Sequence, residues 1–318
     1  MAHVISASRR TDVPAFYADW FVNRLRAGSV IVLQPYSGRP ARVSLKAGDV
    51  SAIVFWSKNY APLLGRLDVV GRTTKNLFFH FTITGNCELE PSVPDFRDAI
   101  RDYRFLAGRY SPEQVVWRYD PVCVTDKLSF ERHEERFARC AELLRGSASG
   151  CIISFVHPYK KVPANLRKYS DHALTALSGA QKREYARRLA KIAKTHGIRT
   201  FACCNDDLLS DQIHKAACID GRLLSDIFKI PVDARPALTR KECACTKSID
   251  IGAYDTCAHG CLYCYANADK ERAKAALQRH DPSWNSQGRQ VDEAAIAPDK
   301  EQQIMFGAGA GAPFAIDK

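Results

Sequence analysis

The sequence predicts an α/β fold built on a parallel sheet, a (β/α)8-type, TIM-like barrel that is complete or distorted. Short β-branched or aromatic runs alternate with amphipathic helical stretches, and polar residues follow six of those runs. A length of 318 residues with 46% apolar content suits one large domain. The expected organisation is a barrel body over 1–242, a last strand with a cysteine cluster closing the barrel over 243–280, and a mobile tail over 281–318.

Eight strands are expected, because β-branched and aromatic residues are concentrated in eight short runs. They cover His3–Ser8, Val30–Leu33, Ala52–Trp56, Leu77–Ile83, Val115–Tyr119, Cys151–Val156, Ile198–Cys203 and Ser248–Tyr254. A small hairpin is expected near Arg42–Leu45, after a loop rich in proline and glycine.

Four helices are expected where apolar residues recur at a spacing of three to four residues. They run from Pro14 to Leu25, Asp95 to Leu106, Phe130 to Leu144 and Ala180 to His196. Proline is favoured in a first helical turn, and glycine is favoured just past a last turn, so Gly28 and Gly197 should end the first and last of these helices.

The charge and the cysteine content limit the classes of partner and compartment. A formal net charge of +11 favours an anionic partner, such as nucleic acid, a nucleotide or a phosphorylated metabolite. The first residues lack a signal-peptide pattern, and no stretch holds the roughly 18 apolar residues that a membrane span requires. A cytoplasmic protein without a membrane partner is therefore expected. Twelve cysteines in such a protein are expected to be metal ligands or redox groups, because that compartment keeps thiols reduced.

The most specific chemical signal is the stretch CAHGCLYC, which contains Cys257, Cys261 and Cys264. Three thiols at this spacing can converge from one segment on a four-iron cluster, and Gly260 lets the backbone pass close to the inorganic sulfurs. Three ligands leave one iron open for a cofactor or substrate. A zinc knuckle is the alternative, although zinc sites usually pair two cysteines with a second such pair or with two histidines.

A second four-iron cluster could be held by four further cysteines, namely Cys203, Cys218, Cys243 and Cys245, with Cys204 as a fifth thiol nearby. The alternatives are that Cys203 is a small apolar strand residue and that Cys243 and Cys245 form a reducible pair or a zinc site. The other four cysteines fall on predicted strands or helix faces and are expected to fill the core: Cys87, Cys123, Cys140 and Cys151.

Polar side chains after the strands are candidates for function, because ligands bind at the carboxyl ends of parallel strands. The catalytic candidates are Arg9, Arg10, Asp12, Lys58, Arg118, Tyr119, Asp120 and His157. The cofactor-binding candidates are Ser6, Ser8, Arg9 and Tyr263. Arginines after the first strand could clamp a carboxylate or phosphate with two parallel hydrogen bonds.

Each candidate also has a purely structural interpretation. Asp12 could simply cap the helix that begins at Pro14. Arg118 and Asp120 could form a structural pair before a proline turn, although Asp120 could instead accept a ribose hydroxyl or a proton. Lys58 and His157 could be ordinary surface groups.

Several phrases together resemble a bacterial family of unknown function with a C-terminal cysteine cluster similar to that of radical S-adenosylmethionine (SAM) proteins. They are SASRRTDVPAFY, AIVFWSKN, VVWRYDPV, CIISF and CACTKSIDIGAYDTCAHGCLYCYAN, and the likeness covers about residues 3–268. The cysteine loop alone also resembles that of radical-SAM enzymes related to spore photoproduct lyase.

The likeness to radical-SAM proteins implies a [4Fe-4S] cluster on Cys257, Cys261 and Cys264, with SAM chelating the open iron and Tyr263 at the position of a family aromatic. Radical-SAM barrels carry this loop after their first strand, whereas here it follows the predicted last strand. In a closed barrel the last strand lies beside the first, so the loop can occupy an equivalent place.

Two functions are therefore expected, from different classes. The first is a radical-SAM-like enzyme that acts on an anionic small molecule and receives electrons from a separate donor. The alternative is a nucleic-acid-binding or repair protein whose iron-sulfur or zinc centre is structural or redox-active. The charge and a basic loop over 157–168 support the alternative, but the sequence has no basic stripe interleaved with aromatics.

Overall fold

A computed structural model describes residues 2–35 and 37–296 of the chain. Its ten strands are β1 (His3–Ala7), β2 (Ser29–Leu33), β3 (Pro40–Ser44), β4 (Val50–Ser57), β5 (Leu77–Thr82), β6 (Val115–Val122), β7 (Gly150–Phe155), β8 (Arg199–Ala202), β9 (Ile213–Lys215) and β10 (Ile249–Asp250). Eight of them form one parallel sheet in the order β10-β1-β4-β5-β6-β7-β8-β9. The predicted α/β class with a large parallel sheet is confirmed.

Ten α-helices are present in the described part of the chain. They are α1 (Val13–Phe16), α2 (Ala18–Ala27), α3 (Ala61–Leu64), α4 (Leu67–Val70), α5 (Phe96–Arg109), α6 (Phe130–Leu144), α7 (Lys161–Tyr169), α8 (Gly179–Thr195), α9 (Gly221–Phe228) and α10 (Lys270–Arg279). The four predicted helices are confirmed, the first divided at Tyr17 into α1 and α2. Gly28 and Gly197 follow α2 and α8 with φ of 70° and 74°, the left-handed conformation that glycine adopts without strain.

The predicted second strand does not join the large sheet, and this part of the barrel prediction is wrong. β2 pairs antiparallel with β3 in a separate two-stranded sheet. The eighth strand of the large sheet is β9, whose three residues are too few to give a periodic pattern in the sequence.

The last strand lies beside the first, as the sequence predicts. β10 pairs in parallel with β1, with Ile249 opposite Ile5 and Asp250 opposite Ser6. The chain leaving β10 therefore begins next to the residues that follow β1.

The two faces of the sheet differ in polarity. On one face, Phe55, Phe79 and Trp117 contribute to the main hydrophobic core, which also contains the buried faces of α5, α6 and α8. On the other face, smaller clusters contain Val54 and Phe78 near the amino ends of the strands. Because side chains alternate along a strand, the residues that continue this second face towards the carboxyl ends are polar or amphipathic: Ser6, Trp56, His80, Arg118, Asp120 and Ser154.

Residues 281–296, the first part of the segment predicted to be a mobile tail, form hydrogen bonds with α2 and β2. Trp20 Nε1 donates to Trp284 O at 3.0 Å, and Ile31 N donates to Asn285 O at 2.8 Å. The backbone carbonyls of the segment thus accept hydrogen bonds from a side chain of α2 and a backbone amide of β2, and these bonds join the segment to both elements. The rest of the predicted tail, 297–318, lies outside the described residues. Within the described residues, no helix combines the length and apolar character needed to cross a membrane.

Candidate functional site

The loop that carries Cys257, Cys261 and Cys264, here called the cysteine loop (257–264), begins seven residues after β10 at the carboxyl end of the sheet. Gly260 has φ of 70°, so the backbone reverses there in a left-handed conformation that glycine favours. Leu262 N donates to Leu89 O at 2.9 Å, which fixes the loop to the chain that follows β5.

The three thiols of the cysteine loop lie near one another in a largely dry environment. Cys261 is buried, and Cys257 and Cys264 are half-buried. Burial, the Asp12 carboxylate and the other two thiols raise the pKa of Cys257 well above that of a free thiol. Burial also raises the pKa of Cys261, while the Lys58 ammonium opposes that effect. Cys264 N also donates to Cys261 O at 3.2 Å, and this turn keeps the last two cysteines of the loop close together.

Asp12 anchors the cysteine loop to the end of β1. Its carboxylate accepts from Ala15 N at 2.9 Å, which is the predicted helix cap, and also from Ser57 Oγ at 2.7 Å and Lys58 N at 2.8 Å. His259 Nε2 lies 2.8 Å from the second oxygen of the same carboxylate. Asp12 thus links α1, the end of β4 and the cysteine loop through one buried group.

A buried ion pair lies beside the cysteine loop. Lys58 Nζ is 3.1 Å from Glu90 Oε2, and Glu90 Oε1 accepts from Thr84 Oγ1 at 2.5 Å and from the Tyr263 hydroxyl. Burial opposes the charge on Lys58, but Glu90 and the Cys261 thiol outweigh it and raise the pKa of the ammonium. The Lys58 ammonium is therefore buried next to the loop and is not a surface group. The hydrogen bond from the Tyr263 hydroxyl to Glu90 fixes the position of the Tyr263 side chain.

Asp250 on β10 organises the polar end of β1, and the sequence analysis missed it. Its carboxylate accepts from Ser6 Oγ at 2.9 Å, Ser8 Oγ at 2.5 Å and Arg9 N at 2.9 Å. Both serines proposed as cofactor ligands are thus engaged with Asp250. A Cβ on Gly252 would lie 2.2 Å from Ser8 Oγ, so only glycine fits there. In the sequence, a single aspartate between two isoleucines was the one pattern that could have predicted a buried acid with a structural role.

The other candidates after the strands divide into two groups. Arg118 Nε donates to Asp120 Oδ2 at 3.1 Å, and Asp120 also accepts from the Ser154 hydroxyl. Tyr119 lies on the opposite face of β6, buried in the main core with its hydroxyl 3.1 Å from His133 Nδ1, so it does not join Arg118 and Asp120. His157 is exposed, and its ring lies 4.4 Å from the Tyr159 ring at an interplanar angle of 56°.

Five cysteines that are distant in sequence converge beside Arg118, and they are here called the five-thiol pocket: Cys203, Cys204, Cys218, Cys243 and Cys245. Cys203 Sγ lies 3.1 Å from Cys218 Sγ and 3.8 Å from Cys204 Sγ. Cys245 N donates to Cys243 Sγ at 3.4 Å, and Cys218 and Cys204 lie close enough to Cys245 and Cys243 to shift the pKa values of those thiols. The four cysteines proposed for a second cluster are thus in one place, together with the fifth.

Three guanidinium groups surround the five-thiol pocket. Arg118 Nη1 donates to Cys218 Sγ at 3.5 Å. Burial opposes the charge of Arg9, but Asp250, Cys245 and Cys218 raise the pKa of its guanidinium, and Cys204 and Cys203 act similarly on Arg240. Hydrogen bonds from Cys203 and Cys245 hold the pKa of Cys218 well below that of a free thiol, despite burial. The arginines around the pocket would therefore balance the negative charge of its cysteines when these are deprotonated to thiolates.

Arg10 and His80 complete the polar end of the sheet. Arg10 Nη1 donates to Gly252 O at 3.2 Å, so this arginine holds the chain after β10. His80 is buried, stacks on Trp56 with ring centroids 4.3 Å apart, and lies 2.6 Å from Cys218 O. Burial and the Arg118 charge lower the pKa of His80 to about 4. A histidine inside an apolar strand was the only sequence signal for it.

The remaining cysteines divide as follows. Three of the four expected core cysteines are buried, namely Cys123, Cys140 and Cys151, whereas Cys87 is exposed and the prediction for it is wrong. Cys87 follows β5 in a turn, where the chain has already left the sheet. Across residues 2–35 and 37–296, no group of three or more His, Cys, Asp or Glu already has the geometry to hold a metal ion, so binding one at either set of cysteines would require their side chains to rearrange.

The protein belongs to the family described as a domain of unknown function, DUF1848, whose model matches residues 4–266. The match runs from β1 through the cysteine loop, so it includes both the loop and the five-thiol pocket. A comparison with curated proteins found no match.

Proposed function

We propose that this protein is a radical-SAM-like enzyme whose cysteine loop binds a [4Fe-4S] cluster through Cys257, Cys261 and Cys264. The observation that carries the proposal is a set of three neighbouring thiols in one loop at the carboxyl end of a parallel sheet. When bound, the cluster would supply the electron that cleaves SAM, and the resulting 5'-deoxyadenosyl radical would abstract hydrogen from the substrate.

The surroundings of the cysteine loop fit such a group. A thiolate-bound cluster carries negative charge, and three lysines lie close enough to the thiols for their charges to interact: Lys58, Lys161 and Lys270. Lys270 Nζ also donates to Cys261 O at 2.6 Å, and Asn267 Nδ2 donates to Cys257 O at 2.6 Å. These contacts hold the loop backbone so that the thiols stay directed to one region.

Asp12, Glu90 and Tyr263 act as positioning groups in this proposal. Asp12 ties the loop to β1 and β4 through His259 and Lys58 N. Glu90 fixes the Tyr263 hydroxyl and balances Lys58. A cofactor bound at the loop would therefore meet a rigid, water-poor surface, which is the contribution that the protein makes to cofactor chemistry.

A barrel, complete or distorted, is the arrangement that we infer around this site. The pairing of β10 with β1 supports it, because the loop after the last strand then lies where the loop after the first strand lies in radical-SAM barrels. The substrate that we infer is an anionic small molecule, since the chain carries a formal net charge of +11. A separate electron donor would be required.

The test is anaerobic reconstitution with iron and sulfide, followed by reduction in the presence of SAM. We expect about four irons per chain bound at the cysteine loop and formation of 5'-deoxyadenosine. The Cys261→Ala variant should lose SAM cleavage, whereas Cys140→Ala, which changes a buried core cysteine, should keep it. Tightly bound zinc with no SAM cleavage by the reduced wild-type protein would overturn the proposal.

A nucleic-acid-binding or repair function is the second candidate, and α7 favours it. This basic helix lies beside the cysteine loop, where the Lys161 ammonium donates to Tyr265 O, and the Lys168 and Lys270 ammonium groups lie 4.8 and 5.8 Å from the Tyr169 ring centre. Lysines beside an aromatic ring are a combination that single-stranded nucleic-acid-binding surfaces use. Salt-dependent binding of DNA or RNA, without SAM cleavage, would favour this candidate over the first.

A further inference from the structure

We infer that the five-thiol pocket is a second iron-sulfur site, in which four of the five thiolates hold a cluster separate from the one at the cysteine loop. This inference stands independently of the proposed function, because it rests on different residues. It concerns Cys203, Cys218, Cys243 and Cys245, with Cys204 adjacent.

The first argument is convergence. Cys203 and Cys204 follow β8, Cys218 lies three residues beyond β9, and Cys243 and Cys245 lie on the chain that leads to β10. Three separate segments therefore bring five thiols together: Cys203 Sγ contacts Cys218 and Cys204, Cys245 N donates to Cys243 Sγ, and these two groups of thiols interact with each other. Cysteines that serve only as small apolar core residues would be expected at scattered core positions rather than together in one pocket.

The second argument is ligand chemistry. Thiolate is a soft ligand that selects iron-sulfur clusters, zinc or copper(I) over hard cations. The pocket offers five thiols, which is more than the four that a structural zinc ion takes. Each ligating thiol would lose its proton to solvent, and a cluster held by four thiolates would carry negative charge.

The third argument is charge compensation. Arg118 contacts the pocket directly, at 3.5 Å from Cys218 Sγ. Its guanidinium also lies over the Trp56 ring at 5.4 Å and pairs with Asp120, so its position is fixed. Two further arginines, Arg9 and Arg240, lie close enough to interact with pocket thiols. Guanidinium groups that donate to cluster sulfurs and thiolates stabilise the charge and tune the reduction potential.

The fourth argument is the connection between the two cysteine regions. The Tyr265 hydroxyl, one residue after the cysteine loop, donates to Arg9 O at 2.7 Å. The guanidinium of the same Arg9 interacts with Cys245 and Cys218. Arg9 therefore contacts the chain at the end of the cysteine loop and also lies near the pocket, so the two cysteine regions are neighbours in the fold.

The test uses the full chain with the cysteine loop disabled. In the triple variant Cys257→Ala/Cys261→Ala/Cys264→Ala, anaerobic reconstitution should still give about four irons and about four acid-labile sulfides per chain, with an electron paramagnetic resonance signal on reduction. Adding Cys218→Ala and Cys245→Ala to the triple variant should abolish that iron. Adding Cys123→Ala and Cys140→Ala instead, which removes two buried cysteines outside the pocket, should not.

Three results would overturn the inference. They are a triple variant that binds no iron, one that binds a single zinc without sulfide, and one whose pocket thiols all react as free thiols after reconstitution. Far-UV circular dichroism of each variant separates loss of ligands from loss of fold. The triple variant keeps all five pocket cysteines, so if it is folded, its iron count tests the pocket directly. Failure of SAM cleavage in the wild-type protein would leave this result unchanged, so the two proposals can fail separately.

Discussion

The cysteine loop and the five-thiol pocket are both sets of cysteines, but they are built in opposite ways. The loop takes its three thiols from eight consecutive residues, 257–264, and buries them against one ion pair, Lys58 with Glu90. The pocket takes five thiols from three segments between 203 and 245 and places them beside another ion pair, Arg118 with Asp120. A local set can be recognised from spacing alone, whereas a convergent set depends on the path of the chain.

The two regions also share a boundary. β10 lies between Cys245 and Cys257 in the chain, and its Asp250 holds both the end of β1 and the backbone of Arg9. A change at the boundary should therefore affect both regions, whereas a change inside one should leave the other intact. Four predictions test this division.

The largest effect is expected inside the pocket, for Arg118→Met. Removing the guanidinium leaves the Asp120 carboxylate without its cation in a largely buried setting, which should lower the free energy of unfolding by about 3–5 kcal/mol. Chemical denaturation measures the change, with Arg101→Met as the control, because Arg101 is 69% exposed. A loss below about 1 kcal/mol would mean that Arg118 is not part of the structural frame of the pocket.

The next effect is expected at the boundary, for Asp250→Asn. The amide keeps the shape but loses the charge that accepts from Ser8 and Arg9, so the free energy of unfolding should fall by about 1.5–3 kcal/mol. Burial raises the pKa of Asp250, but Arg10 and Arg9 outweigh it and hold the pKa below its ordinary value.

The pH dependence of this variant follows from that direction. A carboxyl whose pKa is lower in the folded protein contributes stability above the unfolded pKa of about 4 and loses it as the pH falls towards the folded pKa. The difference in stability between wild type and Asp250→Asn should thus be full near neutral pH and shrink below about pH 4. A difference that is constant from pH 3 to pH 7 would contradict a charged Asp250.

A smaller effect is expected inside the loop, for Tyr263→Phe. The variant loses the hydrogen bond to Glu90, which keeps Lys58 and Thr84 as partners, so the free energy of unfolding should fall by about 1 kcal/mol. Tyr185→Phe is the matched control and should cost less, because the Tyr185 ring stacks on Phe130 outside both regions and phenylalanine keeps that ring. Iron bound by the five-thiol pocket should not change in either variant, and a loss there would break the proposed division.

The smallest effect is expected for His157→Ala, which lies in neither region. His157 is exposed, so its replacement should change the free energy of unfolding by less than about 0.5 kcal/mol. SAM cleavage should stay within about twofold of wild type. A larger loss of SAM cleavage would contradict this prediction and would indicate that His157 takes part in catalysis.

Much of the fold follows from local patterns in the sequence. The four long helices, the strands of the central sheet and the pairing of β10 with β1 were predictable, because they depend on periodicity and on where the loop must lie. β2 was misassigned because alternation does not identify the partner of a strand, and its partner is β3. β9 was missed because three residues carry no periodic signal.

The candidate site, like the fold, was predictable only in part. The three loop thiols and the cap at Asp12 could be identified from spacing and from the helix start. Glu90, Asp250 and His259 could not, because each is a single polar residue that bonds to a side chain between 173 and 247 residues away in the sequence. Tyr119 was misjudged because its neighbours Arg118 and Asp120 face the other side of β6.

The sequence by itself determined the α/β class, the three-cysteine loop and its likeness to radical-SAM proteins, because backbone spacing and hydrophobic periodicity are local properties. Only the tertiary structure decided that five scattered thiols meet, that Asp12 and Asp250 tie the end of β1 to the cysteine loop and to β10, and that Arg9 lies between the two regions. These contacts depend on the order of the strands, since pairing between β1 and β10 is what brings residues near 10 beside residues near 250.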